Sequence, residues 1–138
     1  MNKKKIIFSV VTIAAIIVFV LWVWIINMNP FRNMDVAEIE TITLHNPSQY
    51  FTITEQEDIQ VLFKELQSMH LSRKISIRKD GFAFLMTINL KNGKKINMSI
   101  LSNDININRR NYRPDKNYCN SILEIFDKLS EKYERNPA

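Results

Sequence analysis

The stretch FLMTINLKNGKKINMSI, residues 84–100, decides the fold. Apolar and polar residues alternate on both sides of a Lys91-Asn92-Gly93 break. Phe84, Met86, Ile88 and Leu90 share one face before it, and Ile96, Met98 and Ile100 share one face after it. A period of two is the mark of a strand with one buried face. Parity settles the connection. A two-residue Asn92-Gly93 turn would set Leu90 opposite Lys95 and apolar opposite polar side chains along the whole ladder. A three-residue loop pairs Ile88 with Ile96 and Met86 with Met98, and leaves Gly93 at the left-handed bulge position where glycine is at ease. A slip of one residue turns every side chain to the other face, so the three-residue loop is the expected one.

Working outward, Ile75 and Ile77 lead to Asp80-Gly81, a hairpin dipeptide. A turn there sets Ile77 opposite Phe84 and adds Phe82 to the apolar face. Downstream, a turn at Ser102-Asn103-Asp104 leads to a short strand with Ile105 and Ile107 on one side. Upstream, Ile42 and Leu44 alternate with polar neighbours, as do Phe51 and Ile53. Asn46-Pro47-Ser48-Gln49 between them suits a type I turn, so the two segments read as a first hairpin.

Two amphipathic helices complete the pattern. Thr54-x-x-Glu57 has the form of a capping box, and Ile59, Leu62, Phe63, Leu66 and Met69 follow at helical spacing, predicting a helix over 55–69. Pro114 suits a first helical turn, and Cys119, Ile122, Phe126, Leu129 and Tyr133 form one apolar stripe after it. Residues 137–138 read as a tail. The expected fold is α+β: an antiparallel sheet with two helices on one face, in two layers.

Ahead of this domain, Ile6 to Ile26 is a run of 21 residues without a charge, preceded by Lys3, Lys4 and Lys5. In a helix it spans roughly 31 Å, close to the hydrocarbon thickness of a bilayer. Lysines on this flank keep it on the cytoplasmic side, and Trp22 and Trp24 sit near the far end, where indoles favour the headgroup level. Leu21 to Pro30 offers no small residue for cleavage, and no cysteine stands just after the span for lipid attachment. The organisation expected is a cytoplasmic basic tail at 1–5, a transmembrane signal anchor at 6–27, a spacer at 28–35 and an extracytoplasmic domain at 36–138. Cys119 is the only cysteine, so no intramolecular disulfide can form.

All 14 acidic residues follow the span, as do all but three of the 19 Lys and Arg, which leaves this part at +2. That sum hides a dipole: residues 35–70 carry −6 and residues 71–116 carry +8. So small a net charge implies no polyanion partner, and nucleic acid is not expected outside the membrane.

Candidate chemistry is sparse. His45 and His70 lie at element ends, not at metal-ligand spacing, and zinc needs three or four ligands. Cys119 belongs to an apolar stripe. Glu55, Glu57 and Asp58 occupy a first helical turn, where negative charge complements the helix dipole. The two glycines are both taken by turns, so no phosphate loop can form. The expectation is a non-enzyme without cofactor or metal.

Basic residues are the one surplus. Arg73, Lys74, Arg78 and Lys79 flank one hairpin, and Lys91, Lys94 and Lys95 surround the next. Arg109, Arg110 and Arg113, with Tyr112 among them, lie in the connection before the last helix. Guanidinium forks suit carboxylate or phosphate, in a lipid headgroup, a wall polymer or an acidic protein. The plainer alternative is that these charges protect solvent-facing and edge strands from pairing with other chains.

The order of features is lysines, one span, EIETITLHN, a capped helix, LMTINLKNGKKINMSI and a final helix around NSILEIFDKL. Over about residues 36–130 it resembles small single-span membrane-anchored extracytoplasmic proteins of Gram-positive bacteria. The resemblance implies an anchored α+β domain and carries no activity, cofactor or site residue. Pilin-like proteins are excluded by the absence of a Gly-Phe processing site and of an early Glu in the apolar segment. Single-span division proteins are excluded by the absence of heptads after residue 27. The reading is a membrane-tethered extracytoplasmic interaction domain that binds a membrane protein or an anionic wall polymer or lipid. The alternative is an envelope sensor or inhibitor with a small ligand between sheet and helices.

Overall fold

Lys3–Ile25 form helix α1, started by Asn2, whose side chain accepts a hydrogen bond from the Lys4 amide at 3.3 Å. The three lysines expected as a tail are therefore its first turn. The computed structural model describes residues 2–74, 81–133 and 136–137. Lys3–Trp22 of α1 is long and apolar enough to cross a membrane, and none of its apolar window is buried against the rest of the chain.

A single 3-10 turn, Val36–Glu38, leads into strand β1 (Ile39–His45), β2 (Gln49–Ile53), helix α2 (Gln56–Ser68) and β3 (Leu71–Arg73). Then come β4 (Phe84–Leu90), β5 (Lys95–Ile100), β6 (Ile105–Ile107), β7 (Arg110–Pro114), helix α3 (Cys119–Ser130) and a two-residue β8 (Asn136–Pro137). Among the described residues these strands form one sheet in the order β3-β7-β6-β5-β4-β1-β2-β8, every pair antiparallel. An N-terminal apolar helix, an antiparallel sheet and two further helices make an α+β fold.

The three-residue loop is present: Ile88 faces Ile96, Met86 faces Met98, and Gly93 has φ of +86°. The first hairpin also forms, with Ile42 opposite Ile53 and Leu44 opposite Phe51. Asn46 Oδ1 accepts from the Ser48 and Gln49 amides and so closes its turn.

Three expectations are corrected, and a fourth, the Asp80-Gly81 hairpin, rests on Ile75 and Ile77, which lie outside the described residues. β4 lies between β1 and β5, and β3 pairs with β7. Pro114 ends β7 opposite Leu71 and does not open a helix; α3 starts at Cys119, whose amide is capped by Asn117 Oδ1. The capping box is not made, because Glu55 occupies the N-cap of α2 with no side-chain cap. Lastly, Asn136–Pro137 pairs with β2.

Residues 28–35, expected as a plain spacer, are built into the domain. Asn29 is buried; its Nδ2 donates to the carbonyls of Leu66 at 2.7 Å and Met69 at 2.9 Å, and its Oδ1 accepts from the Phe31 amide. It thereby bonds carbonyls at the end of α2, where Leu66 O otherwise has only the Met69 amide at 3.4 Å. Phe31 is itself fully buried, edge-on to Phe63.

Alternate residues of the strands join the stripes of α2 (Ile59, Leu62, Phe63, Leu66) and α3 (Ile122, Phe126, Leu129) in one hydrophobic core. Phe126 contacts Phe51 at 4.9 Å and Phe84 at 5.8 Å between ring centroids. Burying each such ring contributes about 1.5–3 kcal/mol. The intervening strand residues form a polar ladder, with Thr43 bonded to Thr52, Asn89 to Thr41 and Asn106 to Asn111.

Candidate anion-binding cleft

The arginines singled out by sequence sit on a hairpin, not in a plain connection. Ile107 and Arg110 face each other across a two-residue turn, Asn108-Arg109, with φ of +49° and +69°. Two positive φ values define the turn type that matches the twist of paired strands. Asparagine tolerates this region, whereas arginine is strained in it. Three bonds hold the turn: Asn108 N–H donates to Asn97 O, Asn108 Oδ1 accepts from Asn97 N–H, and Asn106 Oδ1 accepts from Arg109 N–H at 3.1 Å.

On the far side of β7, β3 brings Arg73 opposite Tyr112, and the Lys74 amide donates to Asn111 O at 3.1 Å. Arg73, Lys74, Arg109 and Arg110 thus line one cleft of about 370 Å³, together with Asn111, Tyr112 and Met28. No carboxylate is among the described residues that line it. Arg73, Arg109 and Arg110 are exposed and make no ion pair among the described residues. Lys74 is the exception: its ammonium lies 3.6 Å from Asp104 Oδ2. Asp104 is 5% exposed and its Oδ1 has no hydrogen-bond partner.

Met28 places the cleft beside the exit of the chain from α1. Its amide donates to Leu71 O at 2.8 Å, while Asn27 bonds the carbonyl of Met69 and the amide of Leu71. Lys3, Lys4 and Lys5 lie at the opposite end of α1; Trp22 is exposed near the exit end, and Trp24 lies in the last turn.

The other candidates separate from this cleft. Arg113 is exposed on β7 opposite Ser72 and is not among the lining residues. Lys91, Lys94 and Lys95 are exposed around the β4–β5 loop, and Arg78 and Lys79 lie outside the described residues. A second open groove of about 410 Å³ lies over the polar sheet face, with His45, Thr87, Asn97, Ser99, Asn106 and Arg109 among its lining residues.

The His45 ring stacks on Tyr50 at 4.6 Å. Among the described residues no three His, Cys, Asp or Glu side chains gather to hold a metal. Burial pushes the Cys119 thiol up, opposite to what a nucleophile needs. Glu55 and Asp58 both take the Lys132 ammonium, at 2.5 and 2.8 Å, and Tyr133 donates its hydroxyl to Asp58 at 2.6 Å. They tie the start of α2 to the end of α3. The Lys132 and Tyr133 bonds hold the Asp58 carboxyl below its usual value, and burial raises the Tyr133 phenol.

Sequence reasoning missed Asp104 as a buried partner of Lys74, having read it as a turn residue. It also missed that Arg73 and Lys74 join Arg109 and Arg110, since the β3–β7 pairing that brings them together is long-range. No family model matches this chain, and neither does any curated protein or solved structure.

Proposed function

We propose that the protein is a single-pass, membrane-tethered interaction domain without catalytic activity, its N-terminus cytoplasmic and its α+β domain, two layers with both helices on one sheet face, outside the membrane. Lysines at one end of α1, tryptophans near the other and the exposure of its apolar side chains support the anchor and its direction. The domain binds a membrane protein or an anionic envelope component. The observation that carries this reading is the position of the cleft: four cations with no carboxylate among the described residues that line it, beside the residue that leaves α1.

The alternative, a sensor or inhibitor holding a small ligand between sheet and helices, would have to displace the rings of Phe51, Phe84 and Phe126, which are already in contact there. The test is cross-linking in intact cells, followed by identification of what co-purifies. Arg109→Glu with Arg110→Glu should abolish recovery of the wild-type partner while the thermal transition stays nearly unchanged. Undiminished recovery would refute the reading. A reporter fused to the C-terminus that is active only in the cytoplasm would overturn the topology if it functions.

A further inference from the structure

We infer that the cleft of Arg73, Lys74, Arg109 and Arg110 holds the phosphate of an anionic lipid headgroup from the leaflet in which the domain is anchored, an assignment that rests on the membrane-tethered reading. The first argument is height. α1 ends at Ile25, and Met28, at the cleft wall, is three residues further on. Three extended residues reach at most about 11 Å. The headgroup layer on each side of the hydrocarbon is roughly 5–8 Å deep. The rim of the cleft therefore stands at the headgroups, within reach of long basic side chains, whereas a wall polymer or soluble partner would have to enter between the domain and the bilayer.

The second argument is chemistry. Three arginines and one lysine line the cleft, and arginine grips phosphate through paired N–H bonds. A volume of about 370 Å³ lies at the small end of ligand sites and exceeds what a lone carboxylate or free phosphate fills, leaving room for the glycerol that carries a headgroup phosphate. Met28 and Tyr112 give it an apolar wall on the side where the chain emerges from α1. Asp104 fixes Lys74 from behind without lining the cleft, so the ammonium is positioned and the other three cations stay unneutralised.

The third argument is the strain at Arg109. A left-handed arginine is held in place by bonds from Asn97, Asn106 and Asn108, and its side chain faces two open grooves and makes no bond in the described structure. A turn selected for stability alone would carry glycine there.

The test uses the full chain in nanodiscs of phosphatidylcholine with a fraction of phosphatidylglycerol, released and weighed by native mass spectrometry. The wild type should retain phosphatidylglycerol in preference to phosphatidylcholine. Each basic residue near an anionic surface is worth about fivefold, so Arg73→Ala, Arg109→Gly and Arg110→Ala together should cut that preference by about a hundredfold. Lys91→Ala, Lys94→Ala and Lys95→Ala remove the same charge elsewhere and should leave it intact. Equal loss in both triple variants would overturn the inference, as would stripping of the retained lipid by excess soluble glycerol 1-phosphate, which would make free phosphate the ligand. Absence of lipid preference with cross-linking to a membrane protein still sensitive to Arg109 and Arg110 would sink the lipid assignment and leave the tethered-domain reading standing. Loss of the chain from the membrane fraction would remove both.

Discussion

Replacing Arg109 by glycine should stabilise the domain while weakening its site. Arg109 has φ of +69°, and a left-handed L-residue costs about 1–2 kcal/mol. Glycine removes that cost but adds about 0.5–1 kcal/mol of chain entropy to the unfolded state. The backbone bonds of the turn do not involve the arginine side chain: the residue 109 amide still reaches Asn106 Oδ1, and Asn108 still pairs with Asn97. The substituted dipeptide, Asn followed by Gly, is the favoured one for this turn. The net gain is about 0.5–1 kcal/mol, a rise of roughly 2–6 °C for a domain near 100 residues. Thermal unfolding of the full chain in detergent, followed by circular dichroism, measures it. Gly93→Ala is the mirror experiment. Nothing lies within 4 Å of an added Cβ there, so its cost of about 1 kcal/mol is backbone strain alone. A falling or unmoved transition in Arg109→Gly would refute the idea that strain is stored at this turn, and with it one of the three arguments for the cleft.

Asn29→Ala should lower stability by about 1–2 kcal/mol, since it leaves the buried Phe31 amide without its acceptor, while the Leu66 and Met69 carbonyls keep only the Met69 amide and Asn27 Nδ2; a lower urea midpoint at constant slope is the expected readout. Asp58 is held below its ordinary value of 3.8, chiefly by the Lys132 bond and then by Tyr133. Its depressed pKa means that this contribution is present above about pH 4 and is lost as the pH falls through the folded value. Asp58→Asn should therefore flatten the acid limb of the stability profile, and an unchanged limb would assign acid sensitivity elsewhere. Lys74→Met strands the buried Asp104 carboxylate and should cost about 3 kcal/mol, most of which Asp104→Asn in the same chain should restore, as read by chemical denaturation.

What the sequence made legible was local. The register of β4 and β5 followed from side-chain parity and one glycine, because pairing across a short loop is governed by its own residues. The apolar stripes of α2 and α3 followed from spacing for the same reason. The β3–β7 pairing did not, since it joins residues some 40 positions apart and Asp80-Gly81 suggested a nearer partner. Pro114 misled because proline suits a strand end as well as a helix start. The cleft was half legible: Arg109 and Arg110 stood out as a cluster, but Arg73 and Lys74 reach it only through that long-range pairing. Arg113, adjacent in sequence to Tyr112, was drawn into the cluster by proximity alone. Asn29 gave no signal, since an asparagine between a span and a domain looks like any polar linker residue until the end of α2 is placed beside it.

The junction between anchor and domain constrains what a site beside it can do. Ile26 is bonded to Trp22 of α1, and Asn27 and Met28 are already bonded to the domain through Met69 and Leu71. Scarcely a residue is left to act as a hinge. A domain on a long flexible spacer would present its basic face to any height above the membrane, and its effective concentration at a surface ligand would fall with spacer length. If α1 is the anchor proposed, the depth to which it enters the bilayer sets the height of Met28, and β3 and β7 carry Arg73 and Arg110 along with it. Asn27 and Asn29 therefore serve both stability and address: the bonds that close the end of α2 also hold the cleft at one level. In the reading proposed, a ligand at that level meets a site whose orientation is already fixed, and little ordering remains to oppose binding.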